Sequence, residues 1–300
     1  MKELKIFGIV AIFTLVLYWG VEPFAHSQMH KHVEGEHLAY SDLKETPKGN
    51  ATKGEALASA CIGCHSINVK NMAAPMDAVT SAATYGVNPP DLSFAGAMLD
   101  EKFFAHFLLN PAEVTKSKHF AMPPSAGSIQ DAADIVAYFK SIAPKEISPK
   151  EGFEFACGRC HANRYAKWTQ IGTVPKTKAN ITTGVDLDAL EFQKNLGTYQ
   201  NALAKYMGKL PPDLSIIIRS RSEHFLHTLI ENPQSQLPGT AMPRVGLNEE
   251  GMDKVMAYLE ETGDPSKPAR DDLGWKVILF FIIFTVLAYL WKKEKWRGHH

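Results

Sequence analysis

Apolar residues are most continuous at the two ends of the chain. Positions 6–21 form an unbroken apolar run behind Lys2 and Lys5, closed by Tyr18 and Trp19, and positions 275–291 form a second run, backed by Lys292, Lys293, Lys295 and Arg297. At the helical rise the second run is about 26 Å long, close to a hydrocarbon core, and Lys276 near its start can extend its amine toward water. Basic flanks favour the cytoplasmic side, so both ends read as cytoplasmic and everything between as periplasmic. The first run fits an N-terminal membrane anchor or signal segment. A small-residue cleavage site would end at Ala25 but has Pro23 two positions earlier, which favours the anchor.

Between these ends the apolar residues recur at helical spacing. Helices are predicted over 54–60 and 152–156, then over 101–109 and 222–231, where Phe103/Phe104 with Phe107/Leu108 and Phe225/Leu226 with Leu229/Ile230 form apolar faces that Pro111 and Pro233 end. A closing helix starts at Ser128, with Asp131 three residues on, and continues through Ile135, Tyr138, Phe139 and Ile142. Its twin has Asn248 as N-cap, Glu249 and Glu250 in the first turn, and Met252, Val255, Met256 and Leu259 on its apolar face. No strand-like alternation stands out, so the fold class is all-α.

The paired helices belong to a duplication. NPPDLS (88–93) returns as LPPDLS (210–215), FLLNP (107–111) as LIENP (229–233), and AMPPSAGSIQDAADIVAYF from Ala121 as AMPRVGLNEEGMDKVMAYL from Ala241. The offset is 96 residues between Cys61 and Cys157 but 122 between Pro89 and Pro211, so the second unit carries about 26 extra residues, over roughly 174–201. The organisation read from this is an anchor or signal segment at 1–25, a polar linker at 26–48, a first unit at 49–145, a second at 146–268 and a C-terminal anchor at 269–300.

All four cysteines fall in two matched motifs, Cys61, Cys64, His65 in ACIGCH and Cys157, Cys160, His161 in ACGRCH. C-x-x-C-H is the c-type heme signature. Cysteines three apart on a helical turn share a face, so both thiols can reach the vinyl groups of one porphyrin while the next residue aims an imidazole at the iron. A zinc site would need four good ligands, and a redox dithiol would not need the histidine. Two covalently bound hemes c are therefore expected, with Phe153 and Ala156 placed to pack near the second porphyrin.

Met122 and Met242 are the matched candidates for the second axial ligand. Each stands in Ala-Met-Pro, where proline stiffens the loop, and each occupies the same place in its repeat, whereas most of the ten methionines are core filler. The rivals, His119, Met72 and Met76 for the first heme and Met207 or His224 for the second, have no counterpart in the other repeat. The metal ligands are thus His65, Met122, His161 and Met242, with no catalytic residue among them. The fold expected is two tandem class I-like cytochrome c heme domains between an N-terminal and a C-terminal transmembrane helix.

Charge adds little. Lys+Arg and Asp+Glu both number 32, which gives no case for nucleic-acid binding. His26, His30, His32 and His37 line the first linker and read as a solvated spacer more readily than as a metal-binding tract. Pro265, Pro268, Arg270, Asp271 and Asp272 mark a hinge before the last span.

From Glu151 onward the chain resembles cytochrome c1, the heme subunit of the cytochrome bc1 complex. CGRCHANRYAKW, LPPDLSIIIRSR, AMPRVGL and LGWKVILFFIIFTVLAYLWKKEKW carry the resemblance. The first unit departs from the monoheme pattern, so the better match is the diheme bacterial variant. The resemblance implies an arginine near a heme propionate at Arg221, with Arg219 as runner-up; the first repeat has Ala97 and Leu99 in that stretch. It also implies single-electron transfer from a Rieske iron-sulfur protein, beside cytochrome b, to a periplasmic cytochrome c or oxidase, in the bacterial inner membrane. The second unit would face the Rieske protein. The chain would be no enzyme on its own but the electron-transfer subunit of quinol-cytochrome c reductase. Two alternatives share the heme motifs: the diheme subunit of a cbb3-type oxidase, whose anchor is N-terminal, and a diheme peroxidase, which needs an open iron position.

Overall fold

The computed structural model describes residues 2–30, 40–117, 120–176 and 186–298. Its helices run in the order α1 (Lys2–Val16), α2 (Glu22–His30), α3 (Ala51–Ala58), α4 (Ala78–Tyr85), α5 (Ala95–Met98), α6 (Glu101–Leu109), α7 (Pro111–Val114), α8 (Ile129–Ile142), α9 (Pro149–Ala156), α10 (Leu187–Met207), α11 (Ile217–Ser220), α12 (Glu223–Glu231), α13 (Pro233–Gln236), α14 (Glu249–Gly263) and α15 (Lys267–Lys295). The chain is mostly helical, as expected. A short antiparallel pair, β1 (Trp168–Thr169) with β2 (Gly172–Thr173), departs from the all-α expectation, because two residues per strand are too few to show alternation in the sequence.

Local chemistry fixes the helix starts. Asn50, Ser128, Ser222 and Asn248 cap α3, α8, α12 and α14 through side-chain oxygens, and Ser148 with Glu151 forms a full capping box on α9. Pro111 and Pro233 do end α6 and α12. They also open α7 and α13, because proline has no amide hydrogen to leave unpaired in a first turn.

Helix α3 crosses α8 so closely that a Cβ on Gly54 would collide with the Asp134 backbone and Tyr138 Cβ, so only glycine fits. The Asp134 carboxylate, buried at this crossing, accepts the Asn50 amide at 2.7 Å and Gln130 Nε2 at 2.9 Å. In the second unit α9 packs on α14, where Phe153 stacks on Tyr258 with ring centroids 4.5 Å apart. Phe153 is thus taken up by helix packing. The two units share one continuous core, with Phe104, Leu108 and Phe139 from the first joined to Phe153, Leu247, Met252 and Leu259 from the second. Leu99 pairs with Leu247 across the join, and Asn248 donates from Nδ2 to the Ala97 carbonyl at 2.7 Å.

The expected insertion supplies most of α10, which runs on past it to Met207 and packs against α4 of the first unit, burying Tyr199 and Leu203 against Ala82. Residues 177–185 of the insertion lie outside the described residues.

The terminal helices are consistent with membrane anchoring at both ends. Leu4–Ala25 and Lys267–Lys295 are long and apolar enough to cross a membrane, and their apolar side chains are exposed. The first does not stop at Val21. A wide turn over Leu17–Val21 accommodates the amide missing from Pro23, and the helix continues to His30. The predicted hinge near 265–272 is also revised, since α15 begins at Lys267 and takes Pro268, Arg270, Asp271 and Asp272 into its first turns. Arg270 pairs with both oxygens of Asp264 at 2.7 and 2.6 Å, which pins the helix to the end of α14.

The expected spacer at 26–48 is only partly so. His32 and His37 lie outside the described residues, as do the side chains of His26 and His30, while Tyr40 is 2% exposed and packs on Phe103.

Candidate heme attachment sites

Each attachment motif is a tight turn that folds its histidine back onto the first cysteine. The amides of Cys64 and His65 both point to the Cys61 carbonyl, at 3.2 and 2.9 Å, and those of Cys160 and His161 to the Cys157 carbonyl, at 3.1 and 2.9 Å. Both thiols and the imidazole of a motif are thereby gathered locally. The repeated Pro-Pro-Asp-Leu-Ser block then brackets each turn from a distance.

The bracket is the same in both units. His65 Nδ1 lies 2.8 Å from the Pro90 carbonyl, and His161 Nδ1 lies 2.8 Å from the Pro212 carbonyl. A carbonyl only accepts, so Nδ1 carries the proton and Nε2 keeps its lone pair for a metal. The aspartate and serine of the block hold the chain just past each histidine. Asp91 accepts the Asn68 amide at 3.0 Å and Ser93 Oγ the Val69 amide at 3.0 Å; Asp213 accepts the Arg164 amide at 3.1 Å and Ser215 Oγ the Tyr165 amide at 3.2 Å. The leucine amides finish the match, Leu92 to the Ser66 carbonyl and Leu214 to the Ala162 carbonyl, each at 2.9 Å.

Burial keeps these groups neutral. It lowers the pKa of both imidazoles, with the Arg159 charge adding to the effect at His65, although the Pro90 and Pro212 carbonyls oppose it. It also raises the thiols of Cys61 and Cys160, and pushes Cys157 up to about 12. All four cysteines are free. Thiols held protonated, as at Cys61, Cys157 and Cys160, suit neither a thiolate nucleophile nor a low-pKa redox pair. Two thiols beside a neutral imidazole with Nε2 available do fit a covalently attached heme c.

Residues 51–143 match the model of the cytochrome c family, and residues 246–299 match that of the Cytochrome C1 family. These matches link the chain to cytochrome c-type proteins over its first unit and to cytochrome c1-type proteins over its closing helix and last span. The link is, in general terms, to heme c-binding electron-transfer proteins. The ammonia monooxygenase gamma subunit of Nitrosomonas europaea is 25% identical over 194 residues, covering 50% of this chain and 81% of that one. A chain from a hyperthermophilic respiratory Complex III structure aligns with a TM-score of 0.36 and 24% identity, over 50% of this chain and 74% of that one.

Met122 and Met242 stand on half-buried loops after the Asn-Pro turns, outside the histidine brackets. Met122 packs on the shared core, and its loop is tied back by the Ser125 amide to the Leu108 carbonyl at 2.8 Å. Met242 is steadied by its own amide, which donates to Thr240 Oγ1 at 3.2 Å. Among the rivals, Met72 is exposed, Met76, Met207 and His224 are half-buried, and His119 lies outside the described residues.

Arg221 belongs to neither bracket. It is exposed, donates from Nη1 to the Ser220 carbonyl at 2.9 Å, and lies over the Phe225 ring at 5.7 Å. With Arg219, Glu260, Lys267 and Arg270 it lines an open cavity of about 440 Å³.

Several contributors carry no local sequence signal. Trp168 braces the second motif, its Nε1 donating to the Gly158 carbonyl at 3.1 Å. Arg244, two residues past Met242 and 4% exposed, is clamped by Asp42 from the supposed spacer. Tyr199 comes from the insertion, which has no counterpart in the first repeat to compare, and Tyr206 from the turns of α10 just beyond it.

Proposed function

We propose that this chain is the diheme cytochrome c1-type subunit of a quinol-oxidising bc1 complex, taking single electrons from a Rieske iron-sulfur partner beside cytochrome b and delivering them to a periplasmic acceptor. The observation that carries this reading is the histidine bracket built twice, atom for atom, around two cysteine pairs. The Cytochrome C1 match over the closing helix and C-terminal anchor supports the choice of complex.

When bound, heme c supplies a one-electron iron couple. Cys61 and Cys64 would hold one such group and Cys157 and Cys160 the other. His65 and His161 would present Nε2 to the metal, fixed in that tautomer by Pro90 and Pro212. Met122 and Met242 would contribute thioethers, soft donors that favour the reduced metal and leave no open position for oxygen chemistry. The α1–α2 and α15 spans would hold both units on the periplasmic face of the inner membrane. Arg221 is the proposed propionate partner of the second site, on the strength of the Arg-x-Arg resemblance and its exposed position.

The test is to purify the native membrane complex, identify its companions and count hemes by intact mass and pyridine hemochrome. Cytochrome b and a Rieske protein, with two hemes on this chain, are expected. An oxygen-reducing core would overturn the assignment. So would monooxygenase subunits, the reading that the name of the Nitrosomonas relative would carry over. Strong carbon monoxide binding by the ferrous protein would overturn the methionine ligands.

A further inference from the structure

The insertion found only in the second unit does its packing on the first. Tyr199 of α10, 0% exposed, accepts the Asn88 amide at 3.1 Å and donates to the Arg159 carbonyl at 2.9 Å. Asn88 lies two residues before Pro90, the acceptor for His65, and Arg159 lies between Cys157 and Cys160. One hydroxyl thus joins the two attachment sites. Seven residues on, along the same helix face, Tyr206 Oη accepts the Ala121 amide at 3.1 Å, next to Met122.

Arg159 crosses the same seam. Its Nη1 reaches the Asn88 carbonyl at 3.5 Å, while its buried Nε has no hydrogen-bond partner. A buried guanidinium N–H without an acceptor is rare, and arginine pairs best with carboxylates. The acidic groups that a heme brings are its propionates. The first repeat, with Ala97 and Leu99 where the second has Arg219 and Arg221, lacks a cation of its own in that stretch.

We propose that Arg159, held by Tyr199 and Asn88, is a positioning and tuning residue for the first heme: a fixed positive charge, lent by the second attachment motif, that stabilises the first heme's reduced state and makes the seam the junction between the two redox sites. This rests on the diheme reading above. A nearby cation disfavours the extra positive charge of the oxidised iron. Two unit charges about 10 Å apart at an effective dielectric of about 20 shift an equilibrium by roughly tenfold.

The experiment is optical redox titration of the full-length, heme-loaded chain in detergent, with heme content checked by pyridine hemochrome. Wild type should give two one-electron waves, and Met122→His identifies the first heme's wave by displacing it. Arg159→Gln should move that wave to lower potential by about tenfold in the reduction equilibrium, about 59 mV for one electron, and move the other wave less. Arg159→Lys, which keeps the charge, should stay near wild type. An unmoved first wave in Arg159→Gln overturns the proposal, as does an equal shift in Arg159→Lys. A pyridine hemochrome count of one heme per chain in wild type would instead overturn the diheme reading itself.

Discussion

Replacing Asp42 by asparagine tests whether the segment before the first unit holds the Met242 loop of the second. Arg244 is the element at stake. Its Nη1 and Nη2 reach Asp42 at 2.7 and 3.1 Å, its Nε donates to the Glu231 carbonyl at 3.3 Å, and its guanidinium lies over the rings of Tyr40 and Phe103 at 5.1 and 5.9 Å. Its own amide donates to the Thr115 carbonyl at 3.1 Å. The Arg244 side chain is 4% exposed but that of Asp42 is 44% exposed, so the pair is half in water. Removing one partner of a fully buried pair costs about 3–5 kcal/mol, and an exposed pair is worth about 0–1 kcal/mol. Asp42→Asn should therefore destabilise by about 2 kcal/mol at neutral pH, read from denaturant unfolding of the heme-loaded chain in detergent. The Arg244 hydrogen bond is also the largest cause holding the Asp42 carboxyl below its ordinary 3.8. A depressed folded pKa means stability that is complete above the unfolded value and lost as pH falls through the folded one. The gap between wild type and Asp42→Asn should accordingly close as the pH drops below about 4. A difference under about 0.5 kcal/mol at pH 7, or a gap that survives acid, refutes the clamp. In a double-mutant cycle with Arg244→Met, additive losses would say the two residues do not communicate.

Gly86→Ala should cost about 2–4 kcal/mol in the same unfolding assay, because Gly86 has φ +89° and a Cβ there would run into the Tyr206 ring, whereas Gly208→Ala, with φ +80° and open space, should cost only about 1–2 kcal/mol. Equal losses at the two sites would mean that α10 does not press on the first unit. For Asp264, the Arg270 hydrogen bonds come first in holding the carboxyl down to about 2, with the charges of Arg270 and Arg219 assisting. The tie to α15 should therefore persist above pH 4 and weaken as pH falls through about 2, seen as faster amide exchange at Lys267 and Arg270. Asp264→Asn should show low protection at every pH, measured against the intrinsic exchange rate at that pH.

Much of the candidate site was legible because its determinants are local. The cysteines and histidine of each motif sit within five consecutive residues, and the caps at Ser128 and Asn248 lie within three residues of the amides they accept. The Pro-Pro-Asp-Leu-Ser repeats could be seen but not interpreted. Their role is to supply a carbonyl, a carboxylate and a hydroxyl to a turn 25 residues upstream in one unit and 51 in the other, and no periodicity encodes such a span. The bond from Tyr40 Oη to the Leu247 carbonyl bridges 207 positions, so a tyrosine in a polar stretch reads as linker although it is core. The insertion was legible as extra length, but not as the part of the second unit that serves the first.

The duplication is therefore asymmetric in a way that bears on function. The first unit's methionine loop is tied by Ala121 to Tyr206 of the second unit, and the second unit's loop is tied by Arg244 to Thr115 of the first. Each unit holds the other's loop, and one hydrophobic core runs across both. Two independent beads on a string could drift apart and let any distance between their redox sites vary. Here a shift of one unit against the other would strain both methionine loops together and break the Tyr199 bridge. The same reciprocity explains why Asp42, outside both attachment motifs, is placed to influence a loop that would bear a metal ligand: it grips Arg244, whose amide fastens the second loop to Thr115 of the first unit.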